Sequence, residues 1–230
     1  MMFFIRNLTV VMKKVLFRFL ILFVLIGVGA TIVYLIKYST PLLPVYNPSD
    51  LNPQVVDITI RGKDKNHTIG DFKLTNQLNK TVTPKDFENN IYVSSFIFTT
   101  CQGICPAMTG NIKSVYTEFV EDDQIKFLSH SVTPEIDSVP VLKAYADKYG
   151  ITNHDKWHFT TANRKHIYEL ARMHYFAATD SGDGGPNDFV HTENLVLVDK
   201  EKRLRGFYDG TDFDEIDRLI KDIYRLKEEY

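Results

Sequence analysis

The segment Ile91-Tyr92-Val93-Ser94-Ser95-Phe96-Ile97-Phe98 runs directly into Thr99-Thr100-Cys101-Gln102-Gly103-Ile104-Cys105-Pro106, and together the two decide how the chain folds. The first half is apolar, β-branched and aromatic, the pattern of a strand buried on both faces. After Pro106, the residues Met108, Ile112, Val115, Tyr116 and Phe119 recur at the spacing of one helix face. Proline is favoured at the first helical position, because the amide hydrogen it lacks would have no partner there. Cys105 is therefore expected at or beside the helix cap and Cys101 in the loop before it.

These are the only two cysteines in the chain. Amides and dipole at a helix N-terminus stabilise negative charge, so a thiol there ionises more easily. Two thiols four positions apart across a glycine-containing loop can close a disulfide or converge on one soft metal ion. A purely structural pair is the competing reading, but buried structural thiols are usually scattered rather than paired at a strand-to-helix turn.

Outward from this unit, Ile125 to Val132 reads as a second strand, which makes a βαβ unit with parallel strands. Ser138 and Pro140 open a helix that Gly150 stops. Trp157 to Thr160 is a short strand, and Asn163 caps a helix carrying Ile167, Leu170 and Ala171. Asn194–Val198 and Leu204–Tyr208 form a hairpin through Asp199 to Lys202, and Thr211 caps a last helix with Ile216, Leu219, Ile220, Ile223 and Tyr224 on one face. Upstream, Ile69–Leu74 and Thr81-Val82 suggest an extra hairpin, and Thr83-Pro84 a helical turn. The order βαβ, helical insertion, ββα is that of an α/β, thioredoxin-like fold: a central mixed sheet flanked by helices, here with an extra N-terminal hairpin. The Gly- and Asp-rich stretch Thr179 to Pro186 lacks the spacing of a calcium loop and reads as a flexible insertion.

Residues 19–36 carry no charge and are almost wholly apolar, close to the roughly 20 residues that span a bilayer. The expected organisation is a cytoplasmic N-terminus over 1–18, one transmembrane helix over 19–36, a Pro-rich tether over 37–53 and a domain over 54–230. Arg6, Lys13, Lys14 and Arg18 precede the apolar run and only Lys37 follows closely, which places the N-terminus in the cytoplasm and the domain across the membrane. A cleaved signal peptide is the alternative, but no small-x-small site follows. Five of the 27 Lys and Arg residues and none of the 29 Asp and Glu residues belong to this region, leaving the remainder at about −7. Such a domain lacks the basic stripe of nucleic-acid binders. Outside the cytoplasm its thiols can oxidise.

The expected sheet also selects a histidine. The strand beginning at Asn194 runs antiparallel to Ile91–Phe98, so its start lies at the edge where the cysteines sit, and His191 precedes it by three residues. His130, near the end of a parallel strand, is the other candidate at that edge. His67, His154, His158, His166 and His174 read as solvated or as satisfied in the core.

From Ile69 to the C-terminus the chain resembles the Sco/SenC family of membrane-anchored, thioredoxin-like copper proteins. The resemblance rests on Cys101-Gln102-Gly103-Ile104-Cys105-Pro106, on Ser131-Val132-Thr133-Pro134-Glu135-Ile136-Asp137, and on His191-Thr192 before an apolar strand. It implies that Cys101, Cys105 and His191 bind copper. It also implies work on the dinuclear copper centre of cytochrome c oxidase: delivering copper, or reducing the cysteines that will hold it. The implied partners are the copper-bearing subunit of that oxidase or another copper carrier. Thr133 and Val190 stand where the family usually has Asp. Chemically, two thiolates and an imidazole form a soft, low-coordinate site suited to copper, with zinc the competitor.

Three classes of function follow: a copper-carrying assembly factor, a thiol–disulfide reductase whose redox-active pair Cys101 and Cys105 works without His191, and a thiol peroxidase. The last is suggested by the threonines ahead of the cysteine, but no Arg lies near Cys101 in sequence. Cys101 is expected to attack and Cys105 to resolve. The absence of an evident transit peptide points to a bacterial inner membrane, with the domain on the periplasmic side.

Overall fold

The computed structural model describes residues 2–38, 41–178, 190 and 192–230. The chain divides into two compact units, 1–42 and 43–230. The first is a single helix, α1 (Met2–Tyr38), whose stretch Lys14–Ile36 is long and apolar enough to cross a membrane.

The second unit is built on a seven-stranded sheet. In chain order its elements are β1 (Leu74–Asn76), β2 (Thr81–Val82), β3 (Ile91–Ile97), α2 (Ile104–Glu118), β4 (Ile125–Ser131), α3 (Val139–Lys148), β5 (Trp157–Thr161), α4 (Arg164–Glu169), β6 (Asn194–Val198), β7 (Leu204–Asp209) and α5 (Phe213–Glu228). The strands lie in the order β2-β1-β5-β4-β3-β6-β7. β3 pairs parallel with β4 and antiparallel with β6, so it is central, and every one of its residues is buried. That is why it reads as a continuous apolar run rather than an alternating one.

The alternation of β3 serves two cores. Ile91, Val93 and Ile97 pack with Met108, Ile112 and Val115 of α2 and with Ile216, Leu219 and Ile223 of α5. Tyr92 and Phe96 face the other way, among Leu128, Val196, Ile167, Leu170 and Tyr175. The fold is thioredoxin-like: a mixed sheet with helices on both faces and an additional hairpin, β1–β2.

Several boundaries differ from the sequence expectation, each for a local reason. The extra hairpin is shorter, because the Asn76 side chain accepts from Leu78 N and Lys80 N (3.0 and 2.9 Å) and Asn79 takes φ 58° to turn the chain. Ile69, expected in a strand, instead donates its N–H to Lys202 O (2.8 Å) and covers the second core. Asp212, not Thr211, caps α5, its carboxylate accepting from Asp214 N (2.8 Å); Thr211 Oγ1 donates to Asp209 (2.7 Å). Beyond α4 the chain continues as a π-helical turn over Leu170–His174.

The tether expected over 37–53 is docked on the domain from Leu43 onward. Tyr46 N donates to Leu204 O (2.9 Å), and Leu43 and Pro44 offer their carbonyls to the buried Arg205. Burial of Leu43 in the first core and this ladder bond cover what would be an open edge at β7.

Candidate thiol and metal site

The helix that follows β3 begins two residues earlier than its proline suggests. Gly103 is the N-cap of α2, Ile104 and Cys105 fill the first two positions, and Pro106 stands third, where its missing N–H is still no loss. The consequence moves Cys105 from the expected cap position into the helix while leaving Cys101 in the loop before it. Cys105 lies inside the first turn and is buried, whereas Cys101 lies in front of the helix, partly exposed, where the amides of that first turn are free.

Partial burial opposes ionisation of Cys101. Against it, the N–H groups of Cys105, Gly103 and Ile104 and the Cys105 thiol all donate to its sulfur, and the balance holds its pKa below the ordinary thiol value. Burial is the main cause that pushes Cys105 up to about 12; the Phe98 backbone pulls the other way, while Cys101 and Asp137 add their negative charge. The pair is thus a thiolate-prone outer sulfur and a protonated inner one, in hydrogen-bonding contact and not joined as a disulfide. An outer sulfur that can open a reaction and an inner one that can close it is the arrangement thiol–disulfide exchange requires. The same two donors, converging from one turn, fit a soft metal ion.

Below this turn lies a carboxylate that sequence reasoning did not assign. Asp137 is fully buried and accepts from Thr99 N (3.2 Å), Thr99 Oγ1 (2.5 Å), Ser131 Oγ (2.6 Å) and Thr133 Oγ1 (3.0 Å). The available signal was the run of hydroxyl residues at the ends of two otherwise apolar strands, Thr99 after β3 and Ser131 and Thr133 at β4, with one acid close behind.

Of the histidines, His191 lies outside the described residues, as does the Gly- and Asp-rich stretch from Thr179 to Pro186. Its described neighbours Val190 and Thr192 are both buried. His130, the second candidate, points into the opposite core. Its ring stacks on Phe96 at 4.8 Å and lies 5.3 Å from Tyr175, and neither ring nitrogen has a hydrogen-bond partner among the described residues. The remaining named rings are engaged locally: His158 with Asn76 (3.1 Å), His67 with His174 O (2.8 Å), and His174 with Gly70 N (3.1 Å).

Burial, with a smaller push from His166, lowers the His130 pKa to about 3. The unfolded ring titrates near 6.5, so as pH falls below that value the unfolded state gains a proton the folded one refuses, and stability drops. Between pH 7 and pH 5 the loss is about 2 kcal/mol. His130→Phe removes this component: its melting temperature should fall less between those two pH values than that of the wild type. An identical drop in both proteins overturns the assignment.

The chain matches the SCO1/SenC family over residues 60–228. It is similar to the SCO1 protein homolog of Bacillus subtilis, with 27% identity over 159 residues, covering 69% of this chain and 82% of that one. The structure is similar to that of BsSco, a member of the Sco family of cytochrome c oxidase assembly proteins in which a disulfide switch has been identified. Identity there is 27% and the TM-score 0.61, with 71% of this chain and 95% of that chain covered. The copper-bound ScoI of Bradyrhizobium japonicum shares the fold at 21% identity and a TM-score of 0.56, covering 70% and 99% of the two chains. With the match spanning most of the globular unit and both cysteines, the chain belongs to the SCO1/SenC family.

Proposed function

We propose that this protein is a membrane-tethered copper carrier that serves the copper centre of cytochrome c oxidase, with Cys101, Cys105 and His191 as the metal ligands. The observation that carries the reading is the asymmetric sulfur pair: one partly exposed sulfur accepting from three amides, which lower its pKa, and one buried thiol against it. Copper is cargo here. Two sulfurs and one imidazole leave a coordination position open, so a partner's thiolate can enter before the carrier's ligands leave. The family membership and a copper-bound relative support the choice of metal.

The register of the sheet supports His191 as the third ligand. Ser94 of β3 lies opposite Val196 of β6, so the chain entering β6 comes from the edge where β3 ends and the cysteine loop begins. Basic residues on the N-terminal side of the apolar helix support an N-terminus in the cytoplasm and a domain on the periplasmic side of an inner membrane. The partner is the copper-bearing subunit of the oxidase or another copper carrier.

A second reading draws on the same sulfurs. The Cys101 thiolate attacks a partner disulfide and expels one partner thiolate. Cys105 then attacks Cys101, releasing the second; the partner gains two electrons and the pair becomes a disulfide. A relative with a disulfide switch supports this chemistry. Anaerobic titration with Cu(I) tests the carrier function: the reduced protein should bind stoichiometrically and the disulfide form should not. Reduced protein that takes up no Cu(I) refutes it.

A further inference from the structure

We propose that Asp137 is the positioning residue of the cysteine turn, acting through the Phe98–Thr99 peptide to hold Cys101 in place before the first turn of α2. The inference rests on the reading of Cys101 and Cys105 as the working pair, and it adds a residue that touches neither a metal nor a partner.

A fully buried carboxylate is costly unless its oxygens are saturated by donors. Here four donors saturate it, and they come from three places: the loop after β3, the end of β4 and the turn before α3. Hydrogen bonds to an ionised acceptor are shorter and stronger than neutral ones. Asp137 is thus the node where the two central parallel strands and the cysteine loop are tied together.

What it grips matters more than how tightly. Thr99 N–H and Phe98 C=O belong to one planar peptide unit, so fixing the direction of the first fixes the second. Asp137 holds Thr99 N–H, and the Phe98 carbonyl at the other end accepts Cys101 N–H at 3.3 Å. The Phe98 N–H, which belongs to the adjoining Ile97–Phe98 peptide, donates to the Cys105 sulfur. The clasped Phe98–Thr99 peptide therefore holds the Cys101 backbone directly, the peptide before it touches Cys105, and the carboxylate sets the orientation of the first. Loss of the grip frees the turn to rotate and removes the Cys101 sulfur from the three amides that donate to it.

The test uses Asp137→Asn, Thr99→Val and Thr99→Ser in the full chain, with two readouts. One is Cu(I) affinity by competition with a chromophoric chelator; the other is the dithiol–disulfide equilibrium in glutathione buffer, which needs no copper. Asp137→Asn should weaken Cu(I) binding about tenfold and Thr99→Val several-fold, the scale of a charged hydrogen bond. Both should shift the redox equilibrium toward the disulfide, because the amide hydrogen bonds to the free Cys101 sulfur stabilise only the reduced form. Thr99→Ser keeps both donors and should restore both values. If Asp137→Asn fails to fold, the Thr99 pair decides alone. A wild type that binds no Cu(I) defeats the copper reading while the glutathione equilibrium still tests the clasp. Asp137→Asn and Thr99→Val equal to wild type in the redox equilibrium, or Thr99→Ser displaced as far as Thr99→Val, overturns the proposal.

Discussion

His191→Ala is expected to weaken Cu(I) binding by well over 100-fold and to leave thiol–disulfide exchange near the wild-type rate. Changing a group that merely orients a metal ligand already costs 10- to 100-fold in affinity, and this substitution removes a proposed ligand outright. Two sulfurs alone would offer the metal one donor fewer, and competing thiols would then strip it more readily. Exchange depends instead on the Cys101 thiolate and the Cys105 thiol, which owe their states to the α2 amides and to burial. The two leading functions therefore part at one residue. Equal Cu(I) affinity in variant and wild type sinks the ligand assignment; equal loss of both activities shows that the histidine shapes the sulfur turn itself.

Arg205→Ala should cost about 3–5 kcal/mol, the scale for stranding a buried charge. The Arg205 side chain is 2% exposed and donates to Asp199 (3.0 Å), Glu229, Leu43 O (2.7 Å) and Pro44 O (3.0 Å). Truncation leaves the fully buried Asp199 with Arg203 as its remaining cation, takes a partner from Glu229, and orphans two carbonyls. Single domains have only about 5–15 kcal/mol in hand, so a large fall in melting temperature follows. Proteolysis should also find a new cutting site near Leu43, since the segment loses its grip on β7. A melting temperature within a degree or two of wild type, with no new cleavage, contradicts the role assigned to this cluster.

The central β3–α2–β4 unit was legible because burial on both faces makes β3 continuously apolar and because α2 repeats its apolar residues at helical spacing. Hydrophobic periodicity does not report what a side chain accepts. Asp137 thus passed as one acid in a loop, and its node of four donors became visible only when β3 and β4 were set side by side. Pro106 misled in a different way: proline is tolerated throughout the first helical turn, so it could not say whether Cys105 or Cys101 faces the free amides. The docked segment from Leu43 was hidden because Pro-rich composition describes backbone stiffness, while its attachment depends on a buried arginine some 160 positions away. The naming of His130 as a candidate beside the cysteines followed from the same limit: a strand end was readable, the face of the sheet its ring takes was not.

The register of β6 and β7 sets Leu204 beside Val198, and Val198 beside Tyr92 at the start of β3. Leu43 and Pro44 are moored there, whereas Cys101 lies past the other end of β3. At about 3.3 Å per residue, roughly 20 Å of strand separates the two poles. A visiting protein can therefore meet the sulfurs head-on, at the end of the sheet away from the mooring. Changes in the stretch before Leu43 therefore leave the lie of the sulfur-bearing end untouched.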